Sequence, residues 1–192
     1  MKQRCHKLTD NGEIVLEKYS EVIGLPVICI ENGKKIGIIK DVIFYPKGQE
    51  VTGFLLENKG YEITKKVILL KDVLNLGKDA LIVNEGSCIK ELRKVNKTQE
   101  LKGKGNVKGL KVYSKSGKDL GLVKDVLFDH KTGVIEGVEI SDGILQDIVQ
   151  GRNILPLIGR VEFGEENILV EKEAVDEMTD TGGGLKKILV DK

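Results

Sequence analysis

The sequence contains one segment twice. The residues from Gly33 to Phe44, GKKIGIIKDVIF, recur 84 residues later as GKDLGLVKDVLF, from Gly117 to Phe128. Two glycines, a Lys-Asp pair and the final aromatic residue keep their places in both copies. Periods of about 20–50 residues indicate solenoids, whereas a longer period of this kind is the size of a whole small domain. The repeat therefore predicts two copies of one small domain in tandem.

Within each copy, the apolar residues form short runs rich in Val, Ile and Leu. Turn signals such as Asn-Gly and Ser-Gly separate these runs, a spacing typical of strands. Short strands without a long amphipathic helix favour a small barrel, since closure removes exposed strand edges. Strands are expected at residues 27–30, 36–44, 51–57, 61–63, 67–70 and 81–83, and again at 111–114, 120–128, 134–140, 154–157 and 168–170. The predicted fold class is all-β, with two small barrels in tandem and short helical additions.

Six residues recur at equivalent positions and are expected to shape the barrels. Glycine inside a strand lowers stability unless a bulge or bend requires it, so its recurrence predicts barrel corners. Two recurring carboxylates could serve acid–base catalysis. Because both copies keep them, the favoured interpretation is that each binds backbone amides at a strand bend. The six residues are Gly37, Asp41, Gly53, Gly121, Asp125 and Gly137.

The repeat also divides the 192 residues into five segments. These are an N-terminal extension (1–19), the first barrel (20–94), a Lys/Gly-rich basic linker (95–108), the second barrel (109–178) and a C-terminal tail (179–192). The extension, linker and tail are expected to be mobile, although Leu185, Ile188 and Leu189 have helical spacing and could dock as a short helix. Each barrel of about 75 residues is near the small end of self-sufficient domains, so contacts between the copies are expected to matter for stability.

Charge is unevenly distributed along the chain, although the net charge is only +1. Residues 90–118 hold ten bases and two acids, whereas residues 134–180 hold twelve acids and three bases. A basic stretch can contact phosphates, and the candidate contacts are Lys102, Lys104, Lys108 and Lys111. Tyr113 is the only aromatic residue in the stretch, so platforms for base stacking are scarce. A solvated linker, or one that folds against the acidic second domain, is the favoured interpretation.

One segment distinguishes the second copy from the first. Residues 142–151, DGILQDIVQG, carry apolar side chains at helical spacing. Asp142 suits the start of a helix and Gly151 suits its end, so a two-turn amphipathic helix is predicted. Its apolar face either covers the open end of the barrel or contacts a partner. The candidate partner contacts are Ile144, Leu145, Ile148 and Val149.

The sequence carries no strong pattern for catalysis, cofactors or metals. The glycine-rich run at 103–109 lacks dinucleotide-binding spacing, and there is no Gly-Lys-Ser/Thr phosphate loop. Cys5 and His6 are adjacent and cannot by themselves complete a tetrahedral zinc site. Cys29 and Cys88 lie in or beside apolar runs and are interpreted as core thiols. We therefore expect no enzymatic activity, no cofactor and no metal site.

Cysteine usage and hydropathy bear on location. Three widely spaced cysteines fit reduced thiols in the cytoplasm. The apolar run from Val22 to Ile30 is interrupted by Gly24 and Pro26 and is shorter than the roughly 20 residues of a membrane-spanning helix. The basic first residues lead into a polar stretch and not into the apolar core of a secretion signal. A cytoplasmic protein without a membrane span is expected.

The sequence resembles a tandem PRC-barrel protein over about four-fifths of its length. The residues that carry the resemblance are Gly24-Leu25-Pro26-Val27, Gly37-x-x-Lys40-Asp41-Val42, Val51-x-Gly53 and Gly77-x-Asp79-x-Leu81-Ile82-Val83, with the second copy running from Gly109 to Val170. The resemblance implies six-stranded barrels. The better-known members, the cytoplasmic part of the photosynthetic reaction-centre H subunit and the C-terminal domain of RimM-type ribosome-maturation factors, imply interaction and not catalysis. The chain is most similar to stand-alone bacterial PRC-barrel proteins, some associated with sporulation.

Two functions remain open at this point. The leading hypothesis is a non-enzymatic cytoplasmic adaptor whose barrels bind an unidentified protein, self-association included. The alternative is an RNA- or ribosome-associated maturation factor that uses the basic linker. Binding driven by phosphates weakens steeply between about 50 and 200 mM salt, whereas docking on an apolar face largely survives. Salt dependence therefore separates the two hypotheses.

Overall fold

The computed structural model describes residues 16–45, 49–57, 64–97, 107–141 and 153–180. These residues form two curled sheets with the same strand order, which confirms the prediction of an all-β fold with two tandem barrels. A short N-terminal segment precedes them and consists of strand β1 (Glu17–Lys18) and helix α1 (Tyr19–Val22).

Barrel 1 is built from six strands, followed by two short additions. The strands are β2 (Pro26–Cys29), β3 (Lys35–Tyr45), β4 (Glu50–Leu56), β5 (Lys66–Leu69), β6 (Val73–Leu76) and β7 (Leu81–Val83), and the additions are β8 (Lys90–Glu91) and helix α2 (Leu92–Lys97). Short 3₁₀ turns lie at Leu70–Asp72 and Gly86–Cys88. The strand order is β6-β7-β2-β3-β4-β5-β8, and the β2–β7 pair is parallel.

Barrel 2 repeats this arrangement. Its strands are β9 (Lys111–Ser114), β10 (Asp119–Phe128), β11 (Ile135–Ser141), β12 (Asn153–Pro156), β13 (Glu162–Phe163) and β14 (Asn167–Val170), followed by helix α3 (Lys172–Asp176) and strand β15 (Thr179–Asp180). The order is β13-β14-β9-β10-β11-β12-β15, with β9 and β14 parallel. In addition, β1 pairs with β10, so the N-terminal segment joins the sheet of barrel 2.

The longest strand of each barrel bends at an aspartate. The β3–β4 register shifts between Ile39 and Asp41, and the β10–β11 register shifts between Val123 and Asp125. A bulge of this kind increases the local twist and lets one long strand turn a barrel corner. The repeated Lys-Asp pair therefore lies where each sheet curls.

One apolar core runs through both barrels. Val27, Phe54 and Leu81 of barrel 1 belong to the same buried cluster as Phe128 and Ile168 of barrel 2. A second, smaller cluster lies outside barrel 1, where α2 covers outward-facing side chains of β5. In β2 and β7, buried residues alternate with more exposed ones, as the period of a pleated sheet requires, whereas β5 is buried on both faces.

Parts of the predicted mobile segments are packed. Glu17 and Lys18 of the extension pair with barrel 2, while Val95 and Val107 of the linker are 2% and 0% exposed. The expectation of mobility is wrong at these residues, because each contributes an apolar side chain or a backbone ladder to the fold. The predicted strand at 61–63 and the predicted helix at 142–151 lie outside the described residues.

Candidate interaction surfaces and the junction between the barrels

The barrels meet through equivalent residues. Glu50, at the start of β4, forms an antiparallel bridge with Val134, its counterpart in the other copy. On one side, the amide of Val51 donates to the carbonyl of Gly133 (2.6 Å); on the other, the amide of Ile135 donates to the carbonyl of Gln49 (2.9 Å). Each bond is the repeat-related image of the other. The junction thus has a local two-fold symmetry, like the self-complementary interface of a homodimer.

The chain turns into this junction through left-handed backbone. Gly133 has a φ of 79°, and Gln49, at the equivalent position, has a φ of 52°. A Cβ atom on Gly133 would lie 2.6 Å from the Val51 carbonyl oxygen and 2.7 Å from Cδ2 of Leu70. Gln49 shows that another residue can adopt this angle, so it is the close approach of barrel 1 that requires glycine at position 133.

The N-terminal segment ties the barrels together a second time. β1 pairs with Leu127 and Phe128 of barrel 2, and Lys18 Nζ lies 3.7 Å from the buried Glu139 carboxylate. Glu17 Oε1 lies 3.2 Å from Nδ1 of His130, an ion pair when the imidazole is protonated, although the two atoms are not aligned as a hydrogen bond. The segment that leads into barrel 1 is thus anchored on barrel 2.

The two repeated aspartates bind neighbouring residues of this segment. Each accepts a hydrogen bond from the next backbone amide, Val42 for Asp41 and Val126 for Asp125, at 2.9 Å in both cases. Asp41 also accepts from the Tyr19 hydroxyl (2.9 Å). Asp125 is buried and accepts from both the amide (3.0 Å) and the hydroxyl of Ser20. Both carboxylates are therefore engaged with the backbone and the N-terminal segment.

The surroundings of Tyr19 raise the pKa of its hydroxyl group. Burial, the hydrogen bond to Asp41 and the negative charges of Asp41 and Asp125 raise its pKa to about 12. Its ring packs against Phe44, with the ring centres 5.8 Å apart. Lys108 Nζ lies 5.1 Å from the centre of the same ring, a distance suited to a cation–π contact. The junction therefore gathers an aromatic ring, a cation and two carboxylates around α1.

The structure describes two of the four candidate phosphate contacts. Lys108 and Lys111 are described, whereas Lys102 and Lys104 lie outside the described residues. Lys111 Nζ lies 3.4 Å from the Asp119 carboxylate and 5.8 Å from the Tyr113 ring centre, and its pKa is raised by both neighbours. Lys108 is over Tyr19. Both described lysines thus already face an aromatic ring, and Lys111 also faces a carboxylate.

The repeated glycines lie within the paired strands. Gly37 is opposite Val27 and Gly121 is opposite Val112. A Cβ atom on Gly53 would lie 2.5 Å from the Ile68 carbonyl oxygen, so the neighbouring strand leaves no room for a side chain there. At its counterpart Gly137, an added Cβ atom would lie 3.1 Å from the nearest carbonyl oxygen, that of Leu155.

The candidate partner contacts Ile144, Leu145, Ile148 and Val149 lie outside the described residues.

Barrel 1 exposes two aliphatic side chains near one end of its β2–β7–β6 ladder. Ile30 and Leu74 are 58% and 57% exposed, the highest values among the large hydrophobic residues that the structure describes. The Ile30 amide donates to the carbonyl of Val83 (3.0 Å), and Val83 is opposite Val73, the neighbour of Leu74. Both residues therefore lie at the same end of the β2–β7–β6 ladder. We call Ile30 and Leu74 the barrel 1 apolar patch.

Barrel 2 carries ion pairs at the corresponding place. The Lys115 amide donates to the Val170 carbonyl just as Ile30 donates to Val83, so Lys115 is the counterpart of Ile30. Lys115 Nζ lies 2.7 Å from Glu171 and 3.2 Å from Glu162, and the hydrogen bond to Glu171 is the main reason why its pKa is raised. Glu162 takes the place of Asn75 beside Leu74. The scaffold therefore tolerates charge at the place of Ile30, whereas the same register places Val161 at the position of Leu74.

Sequence reasoning missed this patch because a one-residue indel displaces the alignment. The constant offset of the repeat places Ile30 opposite Ser114, whereas the hydrogen bonds place it opposite Lys115. An alignment anchored on the parallel β2–β7 and β9–β14 ladders would have paired Ile30, an aliphatic residue, with Lys115, a charged one. Leu74 fell outside every predicted strand, since VLNL does not alternate regularly.

Among the described residues, no group of three or more His, Cys, Asp or Glu side chains could hold a metal ion. Burial, followed by the charge of Asp72, raises the pKa of the Cys88 thiol to about 11, which keeps it protonated at neutral pH.

No helix within the described residues is long and apolar enough to cross a membrane.

Comparison with known proteins gives two matches. A family model described as the PRC-barrel domain matches residues 15–87 and, again, residues 103–175. Over 153 residues, the chain is 29% identical to "Uncharacterized protein YrrD" of Bacillus subtilis (strain 168), an alignment that covers 78% of this chain and 84% of that protein. The two matched ranges contain the six strands of each barrel. The additions β8, α2 and β15 lie beyond them.

Proposed function

The chain belongs to the PRC-barrel family, and from this we propose that it is a non-enzymatic, cytoplasmic interaction protein. One observation carries the proposal: barrel 1 exposes Ile30 and Leu74, whereas the counterpart of Ile30 in barrel 2 is Lys115, which pairs with Glu162 and Glu171. Exposed apolar side chains of this kind favour a partner that offers apolar side chains in return. The two barrels then act as one rigid platform for an adaptor.

A second contact surface is proposed on barrel 2. The segment at 142–151 has the spacing of an amphipathic helix, with Ile144, Leu145, Ile148 and Val149 on its apolar face. It is specific to the second copy, just as the patch is specific to the first. Two different surfaces on one rigid unit would allow the adaptor to contact two partners, or one partner at two places.

The alternative, an RNA- or ribosome-associated factor, relies on the basic stretch. Lys111 pairs with Asp119, and Lys108 lies over Tyr19. A phosphate would have to compete with these neighbours. Since such pairs are exposed and contribute little, they weaken the alternative without deciding it. Salt dependence remains the discriminating property.

The experiment is a pull-down from a bacterial lysate with the intact protein, washed at about 50 and about 200 mM salt. We expect one discrete protein to be retained at both concentrations and to be lost from the Ile30→Ser/Leu74→Ser double variant. The matched control is Ile158→Ser/Leu169→Ser, which removes two exposed aliphatic residues from barrel 2 and should bind normally. The variant Ile148→Asp tests the second surface. Recovery of RNA or ribosomes alone, released by salt and unaffected by these variants, would refute the proposal.

A further inference from the structure

The outer side of β2 is apolar along its whole length. Val27 and Cys29 face the core of barrel 1 and are 0% exposed. Because successive side chains of a strand point to opposite faces, Pro26, Ile28 and Ile30 face the outside. These three side chains form a column about 13 Å long.

The neighbouring strands extend this apolar surface on both sides. Ile82 of β7 is directly opposite Ile28, and Ile38 of β3 is directly opposite Pro26. Ile28, Ile38 and Ile82 are half-buried and belong to neither core cluster. We call the following five residues the barrel 1 outer face: Pro26, Ile28, Ile30, Ile38 and Ile82.

Barrel 2 carries charges on the same surface. The counterparts of the five residues, in the same order, are Lys111, Tyr113, Lys115, Leu122 and Leu169. Two of them are lysines that pair with carboxylates, whereas no residue of the barrel 1 outer face is charged. The fold therefore does not require an apolar surface here, and its presence in barrel 1 favours a binding role.

Helix α2 shows how this barrel covers an outward-facing apolar surface. Val67 and Leu69 of β5 point away from the barrel interior, yet they are only 0% and 2% exposed. Leu92 and Val95 of α2 pack over them, three residues apart on one side of the helix. A short amphipathic helix thus fits the outer side of this sheet. A column of about 13 Å corresponds to about nine residues of helix.

An added strand is a poorer occupant than a helix. It would have to pair with the edge strand β6, which contains a bulge between Val73 and Asn75. Bulges twist an edge away from further pairing. The apolar side chains, in addition, lie on the face of the sheet and not along its edge.

Lysines border the outer face on the β3 side. Lys35 is opposite Ile28, Lys40 follows Ile38 by two residues, and both lysines are exposed. The neighbouring Asp41 carboxylate is already hydrogen-bonded to the N-terminal segment. Acidic side chains on the adjacent flank of a bound helix would therefore be attracted to this border.

The sign of this border also differs between the barrels. The counterpart of Lys35 is Asp119, which is opposite Tyr113. At the end of the barrel 1 outer face, Glu31 follows Ile30 and is exposed. The positive border runs along β3, so this is the side on which a partner would carry its acidic residues.

We propose that the barrel 1 outer face binds an amphipathic helix of a partner protein. The aliphatic stripe of this helix packs on the five residues, and an acidic flank lies along Lys35 and Lys40. The inference rests on the proposed function and specifies the chemistry of the partner.

The test uses two designed helical peptides and the full-length protein at about 50 mM salt. Both are about 18 residues long, since shorter isolated helices are marginal. They share one aliphatic stripe, and one flank carries either glutamates or lysines. We expect the glutamate peptide to shift the methyl resonances of Ile28, Ile38 and Ile82 and to bind at least fivefold more tightly than the lysine peptide. Binding of neither peptide, equal binding of both, or shifts confined to barrel 2 would overturn the proposal.

Variants separate the apolar contact from the charged border. Ile28→Thr/Ile30→Thr should weaken binding of the glutamate peptide roughly tenfold, whereas the barrel 2 control Leu122→Thr/Leu169→Thr should leave it unchanged within about twofold. Lys35→Glu/Lys40→Glu should reverse the preference between the two peptides, which a general loss of structure cannot do. An unchanged preference in that variant would refute the acidic flank.

Two further results assign the outcome. Dimerisation of the wild type that Ile28→Thr/Ile30→Thr abolishes, measured by sedimentation equilibrium, would overturn the proposal and assign the outer face to a second copy of the chain. A protein retained in the pull-down, together with equal binding of the two peptides, would refute the acidic helix and leave the adaptor function standing. Charge-dependent peptide binding without any retained protein would refute the adaptor function and leave the helix-binding face standing.

Discussion

Asp41 and Asp125 occupy equivalent positions in the two copies but differ in burial. Asp125 is 3% exposed and accepts three hydrogen bonds, two of them from Ser20, whereas Asp41 is exposed and accepts two. A buried donor left without its acceptor costs more than an exposed one, which water can satisfy. The same residue type therefore contributes unequally to stability in the two barrels.

Alanine variants measure that difference. We expect Asp125→Ala to lower the free energy of unfolding by roughly 3 kcal/mol, since it strands the amides of Ser20 and Val126. Asp41→Ala should lower it by roughly 1 kcal/mol, because its partners are reached by solvent. Urea unfolding of both variants against the wild type provides the measurement. Equal losses would show that burial at the junction does not govern the effect.

The raised pKa of Tyr19 predicts that the stability of the protein depends on pH in the alkaline range. Its pKa is raised from 10.0 to about 12 in the folded state, so folding favours the protonated phenol. The resulting stabilisation is complete below pH 10 and is lost as the pH rises through the folded pKa. The effect is small, because the ring is only half-buried and solvent screens the neighbouring charges.

The variant Tyr19→Phe isolates this contribution. All other ionisable groups are the same in both proteins, so the difference between wild type and variant reports on position 19. We expect the unfolding free energy of the wild type to fall more steeply than that of Tyr19→Phe between about pH 10 and 12. The measurement is urea unfolding at a series of pH values. Parallel curves would mean that the hydroxyl gains nothing from Asp41.

At the scale of secondary structure, the turn that contains Gly133 leads into β11 and also approaches barrel 1 closely. Gly117 provides a matched control, because its φ of 87° is also left-handed but a Cβ atom there meets nothing within 4 Å. Gly117→Ala should therefore cost only the backbone strain, about 1–2 kcal/mol. Gly133→Ala carries the same strain and also drives a methyl group into Val51 and Leu70 of barrel 1.

The difference between these two variants measures the close contact at the junction. We expect Gly133→Ala to be less stable than Gly117→Ala by about 1–3 kcal/mol, the usual cost of overpacking. Thermal or urea unfolding of the two proteins gives this difference. Equal destabilisation would indicate that the barrels move apart without loss of stability, contrary to the hydrogen bond between Val51 and Gly133.

Strands with a clear apolar pattern were predictable, and those created by tertiary pairing were not. β3 and β10 are long, β-branched and bounded by turn residues, so periodicity identifies them. β6 contains a bulge and β13 has only two residues, which leaves no periodic signal. β1, β8 and β15 are two-residue strands that exist because a neighbouring edge is available. The hydrogen bonds of Tyr19 and Ser20 likewise join residues far apart in the sequence.

At the scale of the whole molecule, the repeat predicted two barrels but not how they are joined. The junction depends on the left-handed backbone at Gln49, where barrel 2 has a glycine, and on β1 crossing to barrel 2. Neither feature has a sequence signature. The shared apolar core and the junction bonds make the barrels one structural unit, although each has its own complete set of strands.

Because the two barrels share an apolar core and a hydrogen-bonded junction, we expect a single cooperative unfolding transition. We expect the ratio of calorimetric to van't Hoff enthalpy to be about 1 for the intact chain. Two barrels that unfold independently would give a ratio near 2. The Gly133→Ala variant is the informative comparison, because weakening the junction should raise the ratio. A wild-type ratio near 2 would contradict the description of the molecule as one unit.

The most direct test of the central claim is hydrogen–deuterium exchange of the partner complex compared with the free protein. If the barrel 1 apolar patch binds the partner, slowed exchange will be concentrated in peptides covering β2 and β6, next to Ile30 and Leu74. The peptides of β13 and β14, at the corresponding place in barrel 2, serve as the internal control and should not change. Protection confined to residues 102–111 would contradict the claim and assign binding to the basic stretch.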